Sequence, residues 1–151
     1  MLEKKLRAAD IYRIAEQFRS EIVRSKCNGE FNFKDRMRKF PGGCCDDACD
    51  LLAYYLQHEY GITSCQENGI YRDEDADNTT NHAWLIIEDK IIVDITGSQF
   101  KYCASFIEYI YVGDETAFYK KLNLKQTYAN CDTTQNERLW KDYQIIKKYL
   151  S

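Results

Sequence analysis

Apolar side chains recur at close to a helical interval through the first stretch of the chain, at Leu6, Ala9, Ile11, Ile14, Ala15, Phe18, Ile22 and Val23. That spacing predicts an amphipathic helix from about Leu2 to Ser25. Lys26-Cys27-Asn28-Gly29 then supplies the basic last turn and the glycine at which helices stop. From Glu30 to Phe40 the pattern is mixed, with Phe31, Phe33, Met37 and Phe40 among charges, and reads as a loop holding a short helical turn. Pro41, the only proline, and Gly42-Gly43 break the chain next. A second helical stripe follows, formed by Ala48, Leu51, Leu52, Tyr55 and Leu56. It predicts a helix from the Cys44-Cys45 pair to about Tyr60, with Asp46 and Asp47 in the first turn and Gly61 as the C-terminal cap.

Beyond Gly61 the period changes. Ile62 to Gln66 has strand character, and Tyr71 to Thr80 is acidic and aperiodic, as an exposed loop would be. His82 to Ile87 and Ile91 to Ile95 are nearly continuous apolar, β-branched segments separated by Glu88-Asp89-Lys90, which predicts a hairpin in a sheet covered on both faces. Phe106 to Val112 has strand composition and Gly113-Asp114 ends it. Glu115 to Leu122 reads as a short helix and Lys125 to Thr134 as a polar loop. Gln135 to Leu150 closes the chain as a helix with Leu139, Tyr143, Ile146 and Leu150 on one stripe. Helices flanking an antiparallel sheet make an α+β fold, and 151 residues fit one domain, 1–151.

Composition narrows the partners. A net charge of −3 gives no electrostatic reason to bind nucleic acid or an anionic membrane. No apolar run approaches the length of about 20 residues needed to span a bilayer. Seven cysteines is an odd number, and Met1 to Arg7 lacks the apolar core of a secretory signal, so a reduced, cytoplasmic setting is expected. The cysteines lack Cys-x-x-Cys spacing, and no metal or cofactor is expected. A site built from Cys44, Cys45, Cys49 and His82 is the one metal reading worth testing.

The chemistry sits where a thiol meets a helix start. Exposed N–H groups and the positive end of the helix dipole favour the thiolate, the nucleophilic form of cysteine. A thiol enzyme also needs an imidazole to exchange a proton with the sulfur, and a third group to fix the tautomer of that imidazole. The hairpin offers both. Pairing around a centre at Asp89 places His82, Trp84, Asp94 and Thr96 on one face, with Asp94 opposite Trp84 and diagonal to His82. Asp94 lies inside Ile-Ile-Val-Asp-Ile-Thr, where an acid is costly unless paired or hydrogen-bonded. His58, near a helix C-terminus, reads as structural, and Cys49, one turn beyond Cys45, as packing.

Three stretches resemble a known family: the Gly43-x-Cys45 helix start, His82-Ala83-Trp84-Leu85, and Asp94-Ile95-Thr96 with Gln99-Phe100. Together, over about Phe40 to Phe100, they are similar to the transglutaminase-like branch of the papain-like cysteine enzymes. Pro41-x-Gly43-x-Cys45 is like the form found in small bacterial and phage members. The resemblance implies a nucleophile helix packed on an antiparallel sheet, Cys45 as nucleophile, His82 as general base and acid, and Asp94 as the group orienting His82. It implies a hydrolase, thiol protease, deamidase or acyltransferase acting through a thioester on a peptide, a protein side chain or a small amide or acyl substrate. Cys44 is the alternative nucleophile.

There are departures from the family pattern. Lys39 stands where papain-like peptidases carry a glutamine that helps bind the oxyanion. The Cys45 backbone N–H is then the minimal oxyanion donor, with Gln99 and Asn81 as side-chain candidates. Asp46 and Asp47 oppose the thiolate by their charge. A rival reading from another class follows from these features: an inactive scaffold serving as a protein-binding or inhibitory module.

Overall fold

The computed structural model describes residues 8–72, 79–100 and 109–150. Within them lie four helices, α1 (Ala8–Cys27), α2 (Cys45–Tyr60), α3 (Ala117–Lys121) and α4 (Glu137–Lys147), and five strands, β1 (Cys65–Arg72), β2 (Thr79–Ile87), β3 (Ile91–Asp94), β4 (Tyr111–Gly113) and β5 (Asn123–Ala129). The strands form one sheet in the order β4-β3-β2-β1-β5, with every neighbouring pair antiparallel. The architecture is α+β.

Alternation along the central strands sorts the core into two layers. Ala83, Leu85 and Ile87 of β2 and Val93 of β3 face α1, α2 and α4, meeting Phe18, Leu52 and Ile146 there. Trp84 and Ile92 point the other way, against Phe100, Phe118, Tyr119 and Leu122. Both faces of the central strands are therefore covered, as their unbroken apolar runs require. α2 carries the stripe Ala48, Leu51, Leu52, Tyr55 and Leu56 inward, but Asp47, Cys49, Asp50 and Ala53 are buried too. It is the central helix, enclosed on more than one side. Gly61, at φ +66°, ends it in the left-handed conformation that favours glycine.

The hairpin has the register that a turn centred on Asp89 demands, with Ile87 paired to Ile91, Ile86 to Ile92 and Leu85 to Val93. Glu88 and Asp89 both take positive φ, and Lys90 N–H donates to Ile87 C=O at 3.1 Å. This is the mirror-image turn that suits strand twist, made here without glycine.

Several boundaries depart from the pattern-based reading. β1 starts at Cys65 and continues through Glu67-Asn68-Gly69 to Arg72, where the sequence suggested a strand over Ile62 to Gln66 and then a loop. Pairing on both sides, to β2 and β5, holds this polar stretch extended. Gly69 is required there because a Cβ would come within 2.8 Å of Leu122 Cβ. β5 replaces the expected polar loop; it is a sheet edge, exposed at every residue, so no apolar alternation marks it. β4 is short and includes Gly113, while residues 106–108 of the expected strand fall outside the described residues. The same holds for the expected first turn of α1. Among the described residues no helix is long and apolar enough to cross a membrane, and the six described cysteines are free thiols.

Candidate active site

Cys45 is the first residue of α2, and the chain reaches it through Gly43 in the left-handed conformation and Cys44 as N-cap. No side chain caps this helix start. The three neighbouring thiols differ sharply in environment. Cys45 is half-buried, whereas Cys44 and Cys49 are buried in the core. Burial first, and the Asp47 charge second, push the Cys44 thiol up to about 12. Cys49 is raised well above the ordinary thiol range, again mainly by burial. Of the three, Cys45 alone combines access to solvent with a place at the first turn.

His82 and Asp94 lie just beyond the last paired residues of the β2–β3 ladder, Leu85 and Val93. His82 Nε2 donates to Asp94 Oδ2 at 2.6 Å, with both side chains essentially without solvent contact. Tyr119 OH donates to the same oxygen at 2.8 Å, and the Thr96 backbone N–H donates to Oδ1 at 3.0 Å. Burial alone would raise the Asp94 pKa, but the charge and hydrogen bond of His82, with the donors from Tyr119 and Thr96, lower it. Burial alone would likewise lower His82. The Asp94 charge and hydrogen bond, reinforced by the nearby Cys45 sulfur, outweigh it and push His82 up to about 9. The ring packs against Trp84, Phe100 and Phe118, which fix its plane and keep water from the Asp94 side.

With Nε2 committed to Asp94, Nδ1 is the nitrogen left for the thiol. Gln99 also reaches it, with its side-chain nitrogen 2.8 Å from Nδ1. With that nitrogen inward the amide donates to a neutral ring; a half-turn of the amide presents Oε1 and suits the imidazolium. Arg19 on α1 sets the approach of Gln99, because its Nε donates to Ile95 C=O at 3.0 Å and its Nη2 to Ser98 Oγ at 3.2 Å. Asn81 is exposed and, by strand alternation, on the other side of β2 from His82. It is not brought to the site, whereas Gln99 is.

Comparison with known proteins gives no match: no family model, no curated protein and no solved structure aligns with the chain. What the site can do is therefore set by its own groups. Among the described residues no three His, Cys, Asp or Glu side chains converge as a metal site would require, so Cys44, Cys45, Cys49 and His82 do not form one.

The acids after the thiol are not left uncompensated. Asp47 is buried and accepts from Arg138 at both oxygens, at 2.9 and 3.1 Å, and from Arg36 at 2.9 Å. Arg36 also lies 3.6 Å from Asp46. Sequence reading identified the two carboxylates but not the guanidinium groups, one of which comes from α4, 91 residues away. Tyr119 and Arg19 were missed for the same reason, since neither carries a local signal.

The Arg138 cluster extends to Asp35, 3.3 Å from Nη1, and to Asp142, 3.9 Å from it. Asp142 is pushed up to about 9, by burial first and then by Asp35, against the opposing pull of Arg138. Its Oδ2 is buried without a hydrogen-bond donor. Because the folded state holds this proton and the unfolded chain releases it, stability declines as pH rises from about 4 towards 9. Asp142→Asn cannot titrate. It should be more stable than wild type by about 1 kcal/mol or more near pH 8 and closer to it near pH 5. Urea unfolding at the two pH values reads the difference, and a gap that narrows with rising pH would exclude this account.

Proposed function

We propose that the protein is a cysteine-dependent hydrolase or acyltransferase that acts on amide or acyl carbonyls through a thioester on Cys45. One observation carries the reading: the His82 ring is held by Asp94 at 2.6 Å on Nε2, and the Cys45 sulfur is near enough to help raise His82 to about 9. That is the arrangement nucleophilic catalysis by a thiol needs, namely nucleophile, proton carrier and orienting acid in series.

The steps follow from it. The Cys45 sulfur attacks the carbonyl carbon as its proton resides on His82 Nδ1, and the carbonyl oxygen becomes an oxyanion. The Cys45 backbone N–H and the Gln99 amide are the donors we assign to that charge. The leaving nitrogen or oxygen takes the proton from Nδ1 as its bond to carbon breaks, leaving the thioester. Water, or an amine in the transfer case, attacks the thioester and gives its proton to Nδ1, and the thiolate departs. Asp94 stays ionised throughout and stabilises the imidazolium. Peptide cleavage, side-chain deamidation and acyl transfer differ only in the leaving group and the acceptor. The same chemistry is that of the transglutaminase-like, papain-like enzymes that Gly43-x-Cys45, His82 and Asp94 resemble.

Gln99 favours a second reading, the inactive scaffold, because its amide occupies the ring nitrogen that the thiol would use. An activated ester separates the two. Mixed with p-nitrophenyl acetate, wild-type protein should release a burst of nitrophenolate stoichiometric with enzyme and carry the acetyl group on Cys45. Cys45→Ala should give neither. Absence of a burst, or acetylation spread evenly over the exposed Cys27 and Cys131, would favour the binding module.

A further inference from the structure

The start of α2 holds a local charge balance that reaches to the far end of the chain. Asp46 and Asp47 follow the thiol in the first helical turn, and Arg36 and Arg138 face them. The two guanidinium groups are not equivalent. Arg36 is half exposed and divides itself between Asp46 and Asp47. Arg138 holds both oxygens of the buried Asp47 in a planar fork, which charge alone does not require and only arginine can make.

We propose that Arg138 is a positioning residue for the Cys45 thiol: its fork on Asp47 docks the first turn of α2 against α4 and cancels the carboxylate that would otherwise oppose a thiolate there. The inference rests on the reading of Cys45 as nucleophile. It adds to that reading a group that touches neither the sulfur nor the substrate.

The charges around the thiol come from every neighbouring element. α2 itself contributes Asp46, Asp47, Asp50 and the Cys44 and Cys49 thiols; Arg36 lies on the preceding turn; His82, Asp94 and Tyr119 come from β2, β3 and α3; and Arg19 on α1 faces Asp94. His82 and Asp94 answer each other, and Asp50 takes the Cys131 N–H. Asp35 shares Arg138 and helps to raise Asp142. Loss of Arg138 therefore makes the surroundings of the sulfur more negative by one unit of charge. At an effective dielectric of about 20, with salt screening, such a charge displaces a thiol titration by roughly half to one pH unit.

The test is the pH dependence of Cys45 alkylation by iodoacetamide on the full chain, read by mass spectrometry, with thermal unfolding followed in parallel. Arg138→Gln should move the midpoint up by about half to one pH unit and slow alkylation at neutral pH by about three- to tenfold. Arg138→Lys should recover most of the midpoint, and Asp47→Asn combined with Arg138→Gln should return it to the wild-type value. A purely structural role would lower the melting temperature with the midpoint unmoved, and that result overturns the proposal, as does a double variant that keeps the shift. If Arg138→Gln does not fold, Asp47→Asn alone should move the midpoint down, and an unmoved midpoint overturns it. Wild-type Cys45 reacting no faster than Cys27 and Cys131 would overturn the nucleophile reading and this proposal together. A fast Cys45 with an unshifted Arg138→Gln midpoint overturns the role of Arg138 alone.

Discussion

Asp94→Ala should cost about 3–5 kcal/mol of folding stability, because it strands a buried His82 charge and leaves the Tyr119 hydroxyl and Thr96 N–H without their acceptor. Against a total stability of about 5–15 kcal/mol for a typical domain, that loss brings the native state near its threshold. Asp94→Asn keeps the shape and gives the cleaner measurement. The sign of the pH dependence follows from the two shifted groups. His82 is raised from 6.5 to about 9, so its stabilisation is complete below about 6.5 and is lost as pH rises through about 9. Asp94 is lowered from 3.8, so its stabilisation is present above that value and is lost as pH falls below it. The stability gap between wild type and Asp94→Asn should thus be widest between about pH 4 and 6.5 and should close towards pH 9. Urea unfolding across that range reads it, and a gap independent of pH would show that His82 is not charged in the native state.

His82→Ala should slow acylation of Cys45 by at least about 100-fold, the usual size of a general acid–base contribution. Two effects combine. The thiol loses the group that accepts its proton, and the leaving group loses the group that returns one. The substitution also leaves Asp94 buried without its cation, so folding has to be followed separately. His82→Gln, which retains a donor towards Asp94, should keep more of the stability and regain little of the rate. Burst kinetics with p-nitrophenyl acetate and chemical unfolding of the same samples separate the two contributions. A His82→Ala protein that folds and acylates at the wild-type rate would remove the histidine from the mechanism.

Tyr119 shows how the site is buttressed. Its hydroxyl and the His82 ring share Asp94 Oδ2, and Thr96 holds the other oxygen. The carboxylate therefore has donors on both sides and cannot rotate without breaking one. This matters because the β2–β3 ladder ends at Leu85 and Val93, so the side chains rather than backbone pairing hold Asp94 to His82. Burial behind Phe100, Phe118 and Trp84 strengthens each of these bonds by excluding water.

Periodicity along the chain is enough to recover the elements that carry an apolar stripe or an unbroken apolar run. The stripes of α1, α2 and α4 follow from local spacing, because a helix facing the core repeats apolar residues at its own period, and the hairpin from His82 to Ile95 follows from two unbroken apolar runs, as strands covered on both faces require. The register of the hairpin was legible too: a short turn leaves few ways to pair two apolar runs, and Asp94 had to find a partner. β5 and the polar half of β1 were not legible. Their residues are held extended by neighbouring strands, and the exposed edge strand β5 needs no apolar alternation. Cys45, His82 and Asp94 could be named from residue type, order and the Pro41-x-Gly43-x-Cys45 resemblance, and tertiary structure adds the burial that separates the half-buried Cys45 from Cys44 and Cys49. Only tertiary structure supplies Tyr119, Arg19, Arg36 and Arg138 as well. Two acids beside a thiol read as an obstacle in one dimension; the guanidinium that cancels one of them lies 91 residues away, and charge compensation depends on distance in space rather than along the chain.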